Sequence, residues 1–201
     1  MIARLDLEGA INALADGRIV ALASDTVYGV GAAIAHPKAV ARLFTLKGRP
    51  TNVALPVILD GVATLERLGV TWTQRAARLA DRFWPGALTI VVEADATLAH
   101  LVGATHAVGL RVPDDETLRT IVAAVGPIAF TSANRHGDAP CTSAAAVIAA
   151  FSDSDELAGV LDGGERDAAV SSVVDVTGEP WRVVRAGAIS SAAIAAALAT
   201  V

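Results

Sequence analysis

At 201 residues the chain is long enough for one well-cored domain, and a second would be cramped. Hydrophobic residues make up 53% but aromatics only 4%, so the core must be built from Ala, Val, Leu and Ile. The net charge of −5 argues against a protein that grips nucleic acid along a broad basic face, and the single cysteine, Cys141, excludes an internal disulfide framework.

Further exclusions follow from the order of residues. No apolar span approaches the twenty residues needed to cross a bilayer, so no membrane association is expected. The opening MIARLDLEGAI lacks the basic, apolar and small-residue order of a secretory signal, and a single cysteine fits a reducing cytosol, so a cytoplasmic location is expected. Fourteen of the 16 cations are arginine. A codon bias toward Ala and Arg could produce that ratio, but guanidinium groups also suit planar contacts to carboxylate or phosphate.

In chain order, Asp6 can cap a helix carrying Leu7, Ala10, Ile11 and Leu14, ended by Gly17. IVALA (19–23) reads as a buried strand that runs into the loop SDTVYG. HPKAVARLFTL reads as a helix with Pro37 in its first turn, and Gly48 and Pro50 force the following KGRPT out of it. ALPVIL reads as a strand, VATLERLG and TQRAARLADRFW as helices, and ALTIVVE as a strand. VGLRV is then a strand, DDETLRTIVAAVG an acid-capped helix and PIAFTS a strand. TSAAAVIAAF is a helix, GVLDGG, SVVDVT and WRVVRA are strands, and SSAAIAAALA is a Ser-capped helix. Without repeats or a linker, this alternation predicts one α/β domain over residues 1–201, built on a mixed sheet.

The common catalytic signatures fail. There is no phosphate loop of the G-x-x-x-x-G-K-[ST] kind, and Gly29-Val30-Gly31 has Ile34 where a dinucleotide fingerprint needs its third glycine. His36, His100, His106 and His136 show no metal-ligand spacing. What remains are polar residues at the ends of predicted strands. Ser24 to Gly29 follow the first strand, where Asp25 could simply stabilise a turn. Lys47 and Arg49 would project to one side of an extended segment, either as a solvated pair or as a polyphosphate site. Arg111 lies inside an apolar strand, where a guanidinium needs an anion or several acceptors. Ser132 and Asn134 close the strand PIAFTS, Ser171 and Ser172 precede VVDV, and Arg185 ends WRVV. Hydroxyls and arginines gathered at strand ends, with few carboxylates among them, resemble the lining of an anion-binding cleft.

These segments fall in the order of a known family. SDTVYGVGA is similar to P-T-[DE]-T-V-Y-G-L-G, KGRP to K-x-R-P, and WPGALT to W-P-G-P-L-T; GLRVPD, TSANRHG and SSVVDV…VVRAG follow. The chain thus resembles the YrdC-like threonylcarbamoyl-AMP synthases, in the short form without an extra C-terminal domain. The resemblance implies a twisted open α/β sheet with a concave basic cleft. It implies that Lys47 and Arg49 hold the ATP phosphates and are the catalytic pair. Thr26, Arg111, Ser132 and Ser171 then surround L-threonine, while Asn134, Thr142 and Arg185 contact ATP. The implied reaction joins threonine, bicarbonate and ATP into threonylcarbamoyl-AMP and pyrophosphate, with Mg2+ carried by the phosphates. Proteins that transfer the group onto tRNA would receive the product, and weak double-stranded RNA or tRNA binding is implied as well.

Departures from the pattern concentrate on the amino-acid side. Ala23-Ser24 replaces Pro-Thr, Val53 and Ile58 replace Asn and His, and Ala186 replaces the Pro of R-P-G. Two other readings compete: a YciO-like paralogue of different specificity, and a non-catalytic double-stranded-RNA-binding module. The intact K-x-R and S-A-N oppose the first, and the acidic balance opposes the second.

Overall fold

A computed structural model describes residues 2–167 and 169–199, so four positions of the expected 1–201 domain lie outside it. Its frame is one mixed ten-stranded sheet in the order β1-β8-β2-β3-β7-β4-β6-β5-β9-β10. In chain order the strands are β1 (Ala3–Leu5), β2 (Ile19–Leu22), β3 (Gly29–Ala33), β4 (Val57–Ile58), β5 (Leu88–Glu93), β6 (Ala107–Arg111), β7 (Ile128–Ser132), β8 (Leu157–Leu161), β9 (Ser172–Asp175) and β10 (Arg182–Arg185). The helices are α1 (Leu7–Ala15), α2 (Pro37–Lys47), α3 (Gln74–Phe83), α4 (Ala96–Leu101), α5 (Glu116–Val125), α6 (Ala144–Ala150) and α7 (Ser191–Ala199). No helix among the described residues is long and apolar enough to cross a membrane.

Local chemistry sets the helix ends. Asp6, Thr73, Asp95, Asp115 and Ser143 each accept a hydrogen bond from a backbone N–H of the first turn that follows. Pro37 opens α2, and Gly48 closes it in the left-handed region at φ 61°. That closing turn directs Arg49 and Pro50 away from the helix axis.

The strands distribute their side chains to two cores. On β2, Ile19 and Ala21 enter the larger core, while Val20 and Leu22 enter the smaller one with Leu14 of α1 and Ile121 of α5. The larger core holds Val40 and Leu43 of α2, Leu79 of α3, Val147 of α6 and Ile194 of α7. On its own face, α1 packs on β1, β2, β3 and β8, with α5 beside it. Farther along the sheet, Leu88 and Ile90 of β5 and Leu110 of β6 point into the larger core. Thr89 and Arg111 therefore face the α1/α5 side, beyond those two helices. That stretch of the sheet carries the cleft described below.

Several elements differ from the sequence reading. The expected strand over 54–59 pairs only at Val57–Ile58, and VATLERLG forms a 3-10 helix, Val62–Arg67. Strands β1 and β3 and helix α4 carry too few bulky or periodic residues to be recognised. For β3 the reason is steric. A Cβ on Gly29 would come within 2.3 Å of the Phe130 ring, so this central strand must be built of small residues.

Candidate active site

Strand ends and the loops after them bring the polar segments together. The loop after β2 is organised by Ser24. Its hydroxyl donates to the carbonyl of Val27 at 2.7 Å, lies 2.9 Å from the Thr26 hydroxyl and accepts the Thr26 N–H at 3.2 Å. Ser24 and Thr26 are both buried. This is turn chemistry that fixes Thr26 where it meets Arg111 from β6, with three strands of the sheet between β2 and β6.

Arg111 is 6% exposed, which makes its partners the controlling fact. Nη2 donates to Asp25 Oδ1 at 2.6 Å, Nε to the carbonyl of Gly86 at 2.9 Å and Nη1 to the Thr26 hydroxyl at 3.3 Å. Asp25 is thus the anion that the buried guanidinium requires, not merely a turn former. Burial lowers the Arg111 pKa and the charge of Asp25 pushes it back up, so the guanidinium stays charged at neutral pH.

Two further arginines approach the same space. Arg49 is anchored through Nε to the Val53 carbonyl at 2.7 Å and through Nη2 to the Ala54 carbonyl at 2.8 Å. Arg185 donates from Nε to the Ser171 carbonyl at 3.0 Å and from Nη2 to the Ser171 hydroxyl at 2.8 Å, and that hydroxyl lies 3.2 Å from Thr89 Oγ1. Burial lowers both pKa values; the charge of Arg185 lowers Arg49 further, and that of Arg111 lowers Arg185. The three cations therefore feel one another, a repulsion that a bound anion would relieve. Gly187 fixes this corner: a Cβ there would stand 2.4 Å from the Val170 carbonyl and 2.6 Å from the Ser172 nitrogen. Only glycine lets the chain leaving β10 lie against the backbone around Ser171.

Seven of the nine residues expected from sequence line this cleft: Thr26, Arg49, Arg111, Ser132, Asn134, Ser171 and Arg185. The Ser132 hydroxyl has no protein partner among the described residues and is free to meet a ligand. Asn134 is more committed. Its amide donates to the carbonyls of Arg135 at 2.7 Å and Asp138 at 2.9 Å, closing the turn in ANRHGD.

Lys47 and Thr142 are not among the lining residues. The Lys47 ammonium is 2% exposed and donates to the carbonyls of Ser132 at 2.5 Å and Asn134 at 2.7 Å, with Asn134 Oδ1 at 3.4 Å. It ties the end of α2 to the Ser-Ala-Asn segment from behind. Burial, and then the charge of Arg49, lowers its pKa from 10.5 to about 8. Thr142 offers its carbonyl to the backbone N–H of Arg166 at 2.9 Å.

Sequence reasoning missed the residues that hold these loops. Tyr28 is fully buried, but its hydroxyl donates to the Gly164 carbonyl at 2.8 Å and accepts the Gly163 N–H at 2.9 Å. Arg166 reaches the Ser24 carbonyl at 2.6 Å. Neither has a local pattern, because each bridges segments more than 130 residues apart.

Val27, Pro56, Ile58 and Phe130 also line the cleft and give it an apolar wall beside its arginines and hydroxyls. Asp138 is the only carboxylate among the lining residues, and no group of three or more His, Cys, Asp or Glu among the described residues could hold a metal. Chemically, such a cleft can bind and align a polyanion beside a small, partly apolar molecule.

Comparisons with known proteins identify what the whole chain is similar to. A Mycobacterium leprae protein is 38% identical over 198 residues, covering 97% of this chain and 89% of its own. The threonylcarbamoyl-AMP synthase of Pyrococcus abyssi is 36% identical over 177 residues, covering 87% of this chain but 52% of the relative. The crystal structure of P. abyssi Sua5 complexed with L-threonine superposes with a TM-score of 0.89 at 32% identity, covering 98% of this chain and 59% of that one. This chain therefore spans between half and three-fifths of the Pyrococcus proteins and most of the mycobacterial one. The model of the Sua5/YciO/YrdC family, described as "Telomere recombination", matches residues 12–187, and the chain belongs to that family.

Proposed function

We propose that this chain is an L-threonylcarbamoyladenylate synthase, forming threonylcarbamoyl-AMP and pyrophosphate from L-threonine, bicarbonate and ATP. The observation that carries the reading is the convergence of Arg49, Arg111 and Arg185 with the hydroxyls of Thr26, Ser132 and Ser171 on one cleft that also has an apolar wall. Threonine's amine takes up CO2, supplied by bicarbonate with loss of water, to form a carbamate. A carbamate oxygen attacks the α-phosphorus of ATP, and the α–β bond breaks to release pyrophosphate.

The chemistry asks for alignment and charge neutralisation, not for a protein nucleophile. In this reading Arg49 and Arg185 lie along the nucleotide, with Asn134 and Thr142 toward the same side. Arg111, Thr26, Ser132 and Ser171 hold threonine. The guanidiniums offset charge that develops on the phosphate oxygens, and burial strengthens that interaction. Lys47, held away from the cleft by its carbonyl partners, contributes by fixing Ser132 and Asn134 or by swinging out to the phosphates when ATP arrives. A metal fits only as Mg2+ carried in with ATP, since Asp138 is the one lining carboxylate; when bound it would supply charge neutralisation to the phosphates. The product is an intermediate for threonylcarbamoyladenosine in tRNA, made in the cytoplasm and passed to tRNA-modifying proteins. Labelled bicarbonate tests the reading: label should enter an acid-labile adenylate only when threonine and ATP are both present. Label-free adenylate would point to a paralogue of different specificity.

The lowered Lys47 pKa gives a pH prediction. As pH rises through about 8, the ammonium loses its charge and the Ser-Ala-Asn segment loses its strongest tether. Turnover should bend downward there. Stability should not follow, because between about 8 and 10.5 the unfolded chain binds more protons than the folded one, and this group's contribution to stability then rises with pH. A melting temperature that falls in step with activity across that interval would contradict the assignment.

Ile58 gives a specificity prediction. Buried at 3% exposure in the apolar wall, it can distinguish threonine from serine only through the fit of a methyl group, worth ~1–3 kcal/mol. Ile58→His should tighten the threonine KM and sharpen the threonine-to-serine preference while leaving the ATP KM nearly unchanged. If neither the threonine KM nor the preference moves, residue 58 lies outside the amino-acid pocket.

A further inference from the structure

Outside the cleft lining, the Arg166 side chain gathers partners from distant parts of the sequence. It sits in the connection between β8 and β9. Nε donates to the Ser24 carbonyl at 2.6 Å and Nη1 to the Gly163 carbonyl at 2.5 Å. Nη1 also lies 3.2 Å from the Glu165 carbonyl, and Nη2 is 3.2 Å from Asp115 Oδ2. Asp115 is itself fixed, because its other oxygen accepts the Leu118 N–H at 2.9 Å as the cap of α5. The two side chains of this ion pair are 21% and 15% exposed, so water screens the pair only in part. The backbone N–H of Arg166 meanwhile donates to the Thr142 carbonyl.

These contacts form a relay that ends in the cleft. The carbonyl held by Arg166 belongs to Ser24, whose hydroxyl contacts both the N–H and the hydroxyl of Thr26. The Thr26 hydroxyl in turn accepts from Arg111, which is paired with Asp25 from the same loop. The Arg166 side chain touches no residue of the ATP side, and its N–H to Thr142 is a backbone contact that substitution leaves in place; the side chain's route into the cleft runs through Ser24. A lysine could reach one of these acceptors, but not three in a plane, and only a guanidinium joins Ser24, Gly163 and Asp115 at once.

We propose that Arg166 is a positioning residue for the amino-acid half of the cleft, holding the Ser24–Thr26 loop against the cap of α5 so that Thr26 and Arg111 present their polar atoms to threonine. This rests on the synthase reading above. Its signature is a split in the kinetics. Arg166→Ala should raise the threonine KM about tenfold, the size expected when a bound group is held less exactly in place, while the ATP KM changes less than twofold. Arg166→Lys should recover part of the loss. Should Arg166→Ala not fold, Asp115→Asn serves instead, since the amide keeps an oxygen for the α5 cap and loses only the charge facing Arg166. It should shift the threonine KM in the same direction by a smaller factor.

The experiment measures both KM values by pyrophosphate release, and the melting temperature, for wild type, Arg166→Ala, Arg166→Lys and Asp115→Asn. A threonine KM that rises alone, with partial recovery in the lysine variant, supports the proposal. An unchanged threonine KM overturns it, as does an equal rise for threonine and ATP, which would mark a general structural role. Wild-type protein that releases no pyrophosphate with threonine and bicarbonate would instead overturn the synthase reading, so the two failures are distinct.

Discussion

Arg111→Ala is expected to abolish synthesis and to lower the melting temperature by roughly 6–20 °C. The stability loss comes from Asp25, whose carboxylate would remain largely buried without the guanidinium 2.6 Å away. Breaking a buried pair by removing one partner costs about 3–5 kcal/mol, and in a protein of this size each kcal/mol corresponds to ~2–4 °C. The carbonyl of Gly86 and the Thr26 hydroxyl lose a donor at the same time. Activity fails for a separate reason: in the synthase reading Arg111, beside the Thr26 hydroxyl, is the cation that receives threonine's carboxylate. The two causes can be separated. Asp25→Asn combined with Arg111→Ala removes the stranded charge and should recover much of the stability, yet remain inactive. Thermal unfolding and pyrophosphate release on the single and double variants decide the matter. A single variant that melts like wild type would show that the pair is not a buried one.

Arg49→Ala should reduce turnover ten- to a hundredfold with little change in melting temperature. Arg49 is only partly buried, and its anchors are the backbone carbonyls of Val53 and Ala54, which face a loop that water can reach. Losing one charged contact to a phosphate costs ~1.5–3 kcal/mol of transition-state stabilisation. Removing Arg49 also relieves its repulsion with Arg185, which limits the harm to the free enzyme. Arg49→Lys keeps the charge but not the fork that spans both carbonyls, so its activity should fall between wild type and Arg49→Ala. Near-wild-type turnover in Arg49→Ala would make the Lys47–Arg49 segment a structural feature alone.

The sequence made most of the frame legible because helices and strands here obey simple rules. Asp6, Thr73 and Asp115 announce helix starts, and Pro37 and Gly48 bound α2. Strand β3 was hidden because its residues are chosen for the space that Phe130 occupies, not for β propensity. The site followed the same division. Arg111 stood out because a charge inside an apolar strand demands a partner, and Asp25 is that partner. Lys47 and Arg49 looked equivalent in an extended segment. Instead α2 continues through Lys47 and turns at Gly48, sending the two side chains to different places. The long-range ties of Tyr28 and Arg166, the Arg166–Asp115 pair included, were invisible for a general reason: they depend on segments that only the sheet order brings together.

If one cleft joins ATP, threonine and bicarbonate in a single reaction, pyrophosphate release measures it most directly. With ATP and Mg2+ present, release should require both threonine and bicarbonate, and omitting either should return it to background. Parallel titration with double-stranded RNA at physiological salt should leave that requirement unchanged. Equal release with threonine or bicarbonate left out, or no release alongside tight RNA binding, would contradict the account.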